Sequence, residues 1–287
     1  MNILYITYFL NGFLMIAMPL ALAIYLTRRW KLSWRFWFVG AAVFILSQVG
    51  HIPFNYGLTA LFQNNLLPHP PDAWKNIFNA VVLGLSAGLF EELSRYAMFR
   101  WWLKDARSWR KAVLAGAGHG GAEAIILGAF VLLAYIQLIV LLNPDVVAAL
   151  PVAQIDVAKT QIAAYWSAPW YSTLLGAFER LCTIPVQICF AVIVLQTFTR
   201  KQWFWVWLAV LYHAVIDASA VFLMPYVGVY WLEAIVAGFS LISILIIFTL
   251  RQPEPLDPQP APVAPAPQVT LNPPEETPEN LDGSRYQ

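Results

Sequence analysis

Long apolar segments recur along most of this chain, and they constrain its fold more than any other feature. A helix needs about 20 consecutive apolar residues to cross a bilayer, and seven segments reach that length. They cover approximately residues 3–26, 36–56, 76–99, 112–142, 172–198, 203–223 and 228–250. The sequence therefore predicts an all-α, polytopic membrane helix bundle with about seven transmembrane helices.

The composition excludes several other classes of protein. Apolar and aromatic residues make up 60% of the 287 residues, and charged residues only 11%. A soluble domain carries about 25% charged residues. The shortfall argues against a cytosolic enzyme, a disordered protein and a basic nucleic-acid binder, so we expect the lipid bilayer and no nucleic acid among its partners.

The basic residues predict the orientation, because they cluster in alternate loops. Eleven of them lie in residues 27–35, 100–111 and 199–202, and Arg251 ends the last span. The loops between these hold only Lys75 and Lys159. The positive-inside rule places the basic loops in the cytoplasm, which puts the N-terminus outside and the C-terminus inside.

The chain divides by composition into two parts. Residues 1–251 form the predicted membrane domain, and residues 252–287 hold ten prolines, six acidic residues and one arginine. Proline-rich, charged segments of this kind cannot form a packed core. We expect a disordered, acidic cytoplasmic tail.

Ionisable residues within the predicted spans require a structural or functional explanation. Placing each one inside the bilayer costs about 3 kcal/mol of free energy even on lenient scales. There are ten: Glu91, Glu92, Arg95, His119, Glu123, Glu179, Arg180, His213, Asp217 and Glu233. At 1.5 Å per residue, Glu91, His119 and His213 lie about 12–15 Å from the basic end of their spans. Three spans therefore bring an acid or an imidazole to one level. Glu179, Arg180 and Glu233 fall near the outer face, where we expect interfacial or structural roles.

The spacing of these residues predicts which of them act together. Three pairs, four residues apart, each share a helix face: Glu91 with Arg95, His119 with Glu123, and His213 with Asp217. Arg95 can hold a carboxylate charged and oriented, and the acids of the other pairs can orient their imidazoles. Glu92 points about 100° away from Glu91. We expect one glutamate to act and the other to pack or to pair with Arg95.

Carboxylates and histidines in an apolar site support a limited chemistry. They can activate water as a general base, and Glu91, His119 and His213 are candidate ligands for zinc, which lowers the pKa of bound water to about 7. The classical His-Glu-x-x-His motif is absent from the sequence. A buried ion-pair network that only holds the bundle is the structural alternative, although buried ion pairs stabilise poorly.

Four glycines surround His119, and they allow two interpretations. Small residues favour close packing of membrane helices. A thin helix also lets water or a peptide approach the imidazole. The glycines are Gly116, Gly118, Gly120 and Gly121.

Three motifs together carry a family resemblance. They are Phe90-Glu91-Glu92-Leu93-Ser94-Arg95-Tyr96, then Gly118-His119-Gly120-Gly121-Ala122-Glu123-Ala124, then His213 to Asp217. In this order they resemble the YhfC family of intramembrane metalloproteases. They are also similar to the wider CAAX-protease and bacteriocin-processing (CPBP) superfamily, the glutamate intramembrane proteases. The resemblance covers spans three to six well and the remaining spans loosely.

The resemblance implies an intramembrane endopeptidase that cleaves a membrane-embedded or membrane-associated protein. Glu91 and His119 would activate water, and His213 and Asp217 would stabilise the oxyanion. Arg95 would orient Glu91 and Glu92, with Glu123 in support. Zinc is possible, but the glutamate–water route requires no metal and forms no acyl-enzyme. We expect a site that opens toward the cytoplasm, in the plasma (inner) membrane of a prokaryotic cell.

The sequence departs from the family pattern at three positions. Arg95 stands one residue earlier than in the superfamily motif, Ala115 replaces an aromatic residue, and Gln187 stands near the place of a histidine found in the YhfC branch. If that histidine holds a metal, its loss affects metal binding rather than the glutamate–water route.

Two other functions stay open. Intramembrane Glu, His and Asp residues also form proton relays, as in proton-coupled transporters. Transporters usually contain inverted repeats, and the sequence shows none. A non-catalytic membrane scaffold or immunity protein is the other alternative.

Overall fold

The structure is a computed structural model that describes residues 3–104 and 107–254. All regular secondary structure in these two ranges is helical, which confirms the predicted fold class. The nine α-helices in these two ranges are α1 Ile3–Trp30, α2 Arg35–Gln63, α3 Asp72–Ala97, α4 Trp109–Val140, α5 Pro144–Ala148, α6 Val152–Trp166, α7 Leu175–Thr199, α8 Phe204–Leu223 and α9 Val229–Thr249. A π-helical turn, Met98–Trp102, extends α3, and a 3₁₀ turn, Ser172–Leu174, precedes α7.

Seven of these helices are long and apolar enough to cross a membrane. They match the seven predicted spans, and α5 and α6 lie in the segment between the fourth and fifth spans. The chain is therefore a multi-pass membrane protein. Most of the predicted tail, residues 255–287, lies outside the described residues.

Successive spans run in opposite directions between two ends of the bundle. At one end the Trp30 and Trp109 rings lie 5.7 Å apart, and Arg35 donates a hydrogen bond to the Trp102 carbonyl. At the other end Tyr5 of α1 packs against Trp166 of α6. We call these the basic end and the opposite end. That the basic end faces the cytoplasm stays a prediction.

Helix α7 lies at the centre of the bundle. In its most apolar window 78% of the residues are buried, against at most 39% in any other span. Helices α1, α4, α8 and α9 pack around it. Residues on α7 are therefore placed to reach the polar groups of several neighbouring spans.

Glycines set the closest helix contacts. A Cβ atom on Gly40 of α2 would lie 1.9 Å from the Ala115 carbonyl oxygen, and one on Gly118 of α4 would lie 2.0 Å from that of Trp37. Cβ atoms on Gly84 and Gly88 of α3 would lie 2.5 and 2.6 Å from backbone carbonyl oxygens of α8. Such close approach is typical of membrane helices. It places α4 against α2 and α3 against α8.

Candidate active site

Five buried polar residues from α3, α4 and α8 meet inside the bundle. We call them the central cluster; each is less than 10% exposed, and they are Glu91, Glu92, Arg95, His119 and His213. All of them were sequence candidates. The helix packing described above brings the three spans together at one level.

Glu91 and His119 form the first half of the central cluster. His119 Nε2 lies 3.0 Å from Glu91 Oε2, and Gln48 of α2 donates a hydrogen bond to Glu91 Oε1 at 3.1 Å. Phe44 packs edge-on against the imidazole at 5.2 Å. His119 Nδ1 is buried and has no hydrogen-bond partner among the described residues. The carboxylate is therefore fixed from two sides, and one imidazole nitrogen is left available.

Glu92 and His213 form the second half. His213 Nδ1 lies 2.7 Å from Glu92 Oε1, and His213 Nε2 lies 3.4 Å from Asp217 Oδ2. Phe190 of α7 stacks on the imidazole at 4.4 Å. The Asp217 side chain is 41% exposed, in contrast to the central cluster. His213 is thus held between a buried carboxylate and an exposed one.

Arg95 joins the two halves. Its guanidinium donates to Glu92 Oε1, and its Nη2 lies 3.6 Å from Glu91 Oε2. The two glutamates point in different directions, and each contacts its own histidine. One positive charge therefore lies between two carboxylates in an apolar environment, where charge pairing is most needed.

Gln187 of α7 connects Arg95 to a second polar group. Its Oε1 accepts a hydrogen bond from Arg95, and its Nε2 donates to Glu123 Oε2 at 2.9 Å. Arg180 donates to Glu123 Oε1 at 2.5 Å and also binds Glu179. We call Glu123, Glu179 and Arg180 the Arg180 cluster. It includes Glu179 and Arg180, for which the sequence predicts interfacial or structural roles.

The expectation that Glu123 orients His119 is corrected by these contacts. The Glu123 carboxylate binds Arg180 and Gln187, whereas the His119 imidazole binds Glu91. Both partners of Glu123 lie on α7, which packs closely on α4, and a guanidinium binds a carboxylate more strongly than an imidazole does. Glu123 reaches the central cluster through Gln187.

A sequence model described as YhfC intramembrane metalloprotease matches residues 14–240. The chain belongs to this family. A relative, the "Uncharacterized membrane protein YhfC" of Bacillus subtilis (strain 168), is 29% identical over 225 residues, covering 74% of this chain and 82% of the relative. No solved structure matches. Membership in the wider CPBP superfamily stays a prediction.

The family description implies a metal, and a metal ion needs several donor groups that face one point. Glu91 and His119 face each other, but the two nitrogens of His213 face Glu92 and Asp217. Among residues 3–104 and 107–254, no group of three or more His, Cys, Asp or Glu side chains is arranged to hold a metal ion. The three candidate ligands therefore do not fit a metal in this arrangement.

The four glycines of α4 are used for packing. A Cβ atom on Gly116 or Gly120 would lie 2.7 Å from atoms of α7, and one on Gly121 would lie 3.1 Å from the Trp37 ring. Gly118 lies against the backbone of α2. Of the two interpretations of these glycines, the structure therefore supports close packing.

Exposure differs between the two sides of the central cluster. Its basic side is filled by side chains that are at most 2% exposed: Met98, Phe99, Leu114, Ala115, Val192 and Ala209. The exposed polar neighbours, Asp217 at 41% and Glu123 at 21%, lie one helical turn toward the opposite end. Side-chain exposure therefore increases toward the opposite end, whereas an opening of the site toward the cytoplasm stays a prediction.

Three residues that contact the site were missed from the sequence: Gln48, Phe44 and Phe190. Gln48 could have been recognised from the sequence, because an amide inside an apolar span needs a hydrogen-bond partner. The two phenylalanines could not, because aromatic residues are common throughout these spans. His51 of α2 contacts Asn55 and Ser86.

Proposed function

We propose that this chain is an intramembrane endopeptidase that hydrolyses a peptide bond of a membrane-associated protein. One observation carries the proposal: a carboxylate and an imidazole, Glu91 and His119, lie 3.0 Å apart in a buried site. Membership in a family described as intramembrane metalloproteases supports it. The proposed location is the plasma (inner) membrane of a prokaryotic cell.

The proposed reaction uses water as the nucleophile. Glu91 accepts a proton as the water oxygen bonds to the carbonyl carbon of the substrate, and His119 orients the carboxylate. The carbonyl oxygen becomes an oxyanion, and the Nε2–H group of His213 donates to it in place of Asp217. Glu91 then returns its proton to the leaving nitrogen as the C–N bond breaks. No bond forms between the protein and the substrate.

Arg95 and Glu92 have supporting roles in this scheme. The Nδ1–H group of His213 donates to Glu92, which holds the ring so that Nε2 faces the exposed side of the site. Arg95 binds Glu92 and lies near Glu91, so it limits the repulsion between the two carboxylates. The site thus keeps two acidic side chains close together within a membrane span.

The polar contacts favour hydrolysis over a proton relay across the membrane. A series of polar side-chain contacts links Glu179 to Asp217 through Gln187 and Arg95. Both ends of this series are exposed carboxylates. Both exposed ends lie on the side of the central cluster that faces the opposite end, and the basic side is packed with apolar residues. Within the described residues, the series does not cross the bundle.

A comparison of protein N-termini tests the proposal without a known substrate. The wild type and Glu91→Gln are expressed at equal membrane levels in a host that lacks its own copy, and new N-termini are identified by mass spectrometry. We expect termini that appear only with the wild type, because the amide cannot accept the proton from water. An unchanged set of termini in the variant would contradict the proposal. Matching unfolding temperatures of the two purified proteins provide the control for folding.

A further inference from the structure

A cavity of about 340 Å³ opens at the basic end, away from the central cluster. It lies between the end of α3 and the short link that joins α7 to α8. Three cationic side chains line it, together with the side chain of one threonine and three aromatic rings: Arg100, Arg107, Lys201, Thr197, Tyr96, Phe198 and Trp203. None of the described residues that line this cavity is acidic.

The cations of this cavity differ in how they are held. Arg107 donates through Nε and Nη2 to the Phe99 carbonyl at 3.1 and 3.0 Å, and its guanidinium lies over the Phe198 ring at 4.3 Å. Arg100 and Lys201 are exposed, and within the described part of the chain neither forms an ion pair. One positive group is therefore fixed in place, and two can adjust to a ligand.

Thr197 gives an independent indication of a ligand. Its side chain is only 7% exposed, and its hydroxyl oxygen is buried with no hydrogen-bond partner in residues 3–104 and 107–254. Threonines in helices usually donate to a carbonyl of the preceding turn, as Thr27 does here. A buried hydroxyl without a partner is unfavourable unless another molecule supplies one.

We propose that this cavity binds the phosphate group of an anionic phospholipid. Arginine and lysine together recognise phosphate oxygens, and the Thr197 hydroxyl can donate to one of them. The cavity lies at the end of the membrane spans, where phospholipid headgroups are found, and basic cavities between spans on this side bind such headgroups. Trp203 and Tyr96 are suited to the interface between headgroups and acyl chains.

The site has a structural link to the central cluster. Tyr96 follows Arg95 on α3, and Arg100 lies on the π-helical turn that extends that helix. A bound phosphate would therefore hold the end of the helix that carries Glu91 and Glu92. The proposal itself does not depend on the proteolytic activity.

Lipid titration of the purified full-length chain tests the proposal. The protein in neutral detergent is titrated with short-chain phosphatidylglycerol, with phosphatidylcholine of equal chain length, and with inorganic phosphate. Binding is followed by native mass spectrometry and by the unfolding temperature. We expect phosphatidylglycerol to bind at least about tenfold more tightly than phosphatidylcholine. Arg100→Gln/Lys201→Gln should abolish this preference. The matched control Arg28→Gln/Arg29→Gln, which removes the same charge from exposed residues of α1 at the same end, should keep it.

Each outcome has a definite meaning. If inorganic phosphate binds as tightly as phosphatidylglycerol and displaces it, the phosphate site is supported but its source is free phosphate. Thr197→Val should weaken phosphatidylglycerol binding without lowering the unfolding temperature of the lipid-free protein, because the hydroxyl has no protein partner. Equal losses in both charge variants, or no preference between the two lipids, would overturn the proposal.

Discussion

The central cluster and the Arg180 cluster are both buried polar groups in membrane spans, but they differ in composition. In the Arg180 cluster one guanidinium lies between two carboxylates, and the side chains of Glu123 and Glu179 are 21% and 40% exposed. In the central cluster Arg95 pairs with two carboxylates, each carboxylate contacts one imidazole, and all five side chains are nearly inaccessible. Gln187 connects the two clusters.

The difference indicates which cluster is suited to chemistry. Arg180 binds a carboxylate on each side, as a structural ion pair does. The central cluster leaves His119 Nδ1 and Glu92 Oε2 buried without partners among the described residues. Unsatisfied buried polar groups require an explanation, and a catalytic role is one of the few. We infer that the Arg180 cluster supports the fold and that the central cluster carries the reaction.

Among the residues that support Glu91, the largest expected effect on cleavage is the loss of the imidazole that orients it. Misplacing a catalytic group can reduce a rate by about 100-fold, so His119→Gln should reduce cleavage by about 100-fold. The glutamine can keep one hydrogen bond to Glu91, so we expect the unfolding temperature to change little. Cleavage and thermal unfolding are measured on the same preparation. Near-normal cleavage by this variant would place the chemistry elsewhere.

The largest expected effect on stability comes from Arg180. Removing one partner of a fully buried ion pair costs about 3–5 kcal/mol, which is an upper limit here because the Glu123 and Glu179 side chains are 21% and 40% exposed. Arg180→Gln should therefore lower the free energy of unfolding by up to that amount, measured by denaturant titration in detergent. The double variant Arg180→Gln/Glu123→Gln should recover part of the loss, since it removes one unpaired carboxylate. Equal losses in the single and double variants would show that the two residues are not coupled.

Gln187 should show an intermediate effect on the rate. Gln187→Met removes the hydrogen bond that positions Arg95, and a displaced catalytic group can reduce a rate by about tenfold to 100-fold. We expect kcat to fall with little change in KM. Gln196→Met is the matched control, because Gln196 is a buried glutamine on the same helix that contacts neither cluster. Equal losses of activity in both variants would indicate a general packing defect.

The smallest expected effect concerns metal. Because Glu91, His119 and His213 do not converge, we expect cleavage by the purified protein to persist in the presence of a chelator such as 1,10-phenanthroline. Metal content is measured on the same sample by mass spectrometry. Loss of cleavage on chelation, with recovery on adding zinc, would show that these side chains rearrange around a metal.

Much of the fold could be predicted from the sequence because the bilayer fixes the length of each span. The predicted span 172–198 corresponds to Ser172–Thr199 in the structure, and the ends of the other six differ from the prediction by at most seven residues. The meeting of Glu91, His119 and His213 at one level followed from the regular rise of a helix. Both predictions rest on local geometry.

Contacts between helices could not be predicted in the same way. The spacing of His119 and Glu123 indicated a pair, yet Glu123 binds Arg180 and Gln187 because α7 packs closely on α4. That packing depends on glycines whose two interpretations the sequence left open. The side from which the site opens depends equally on tertiary packing, so the opening toward the cytoplasm stays a prediction.

The most direct test of the assigned roles compares Glu91→Gln with Glu123→Gln, which are identical changes in the two clusters. Cleavage and the free energy of unfolding are measured for both purified variants, with a substrate identified from the N-terminal comparison. We predict that Glu91→Gln loses cleavage and keeps its stability, and that Glu123→Gln loses stability and keeps most of its cleavage when folded. If Glu123→Gln abolished cleavage while Glu91→Gln retained it, the assignment of the two clusters would be contradicted.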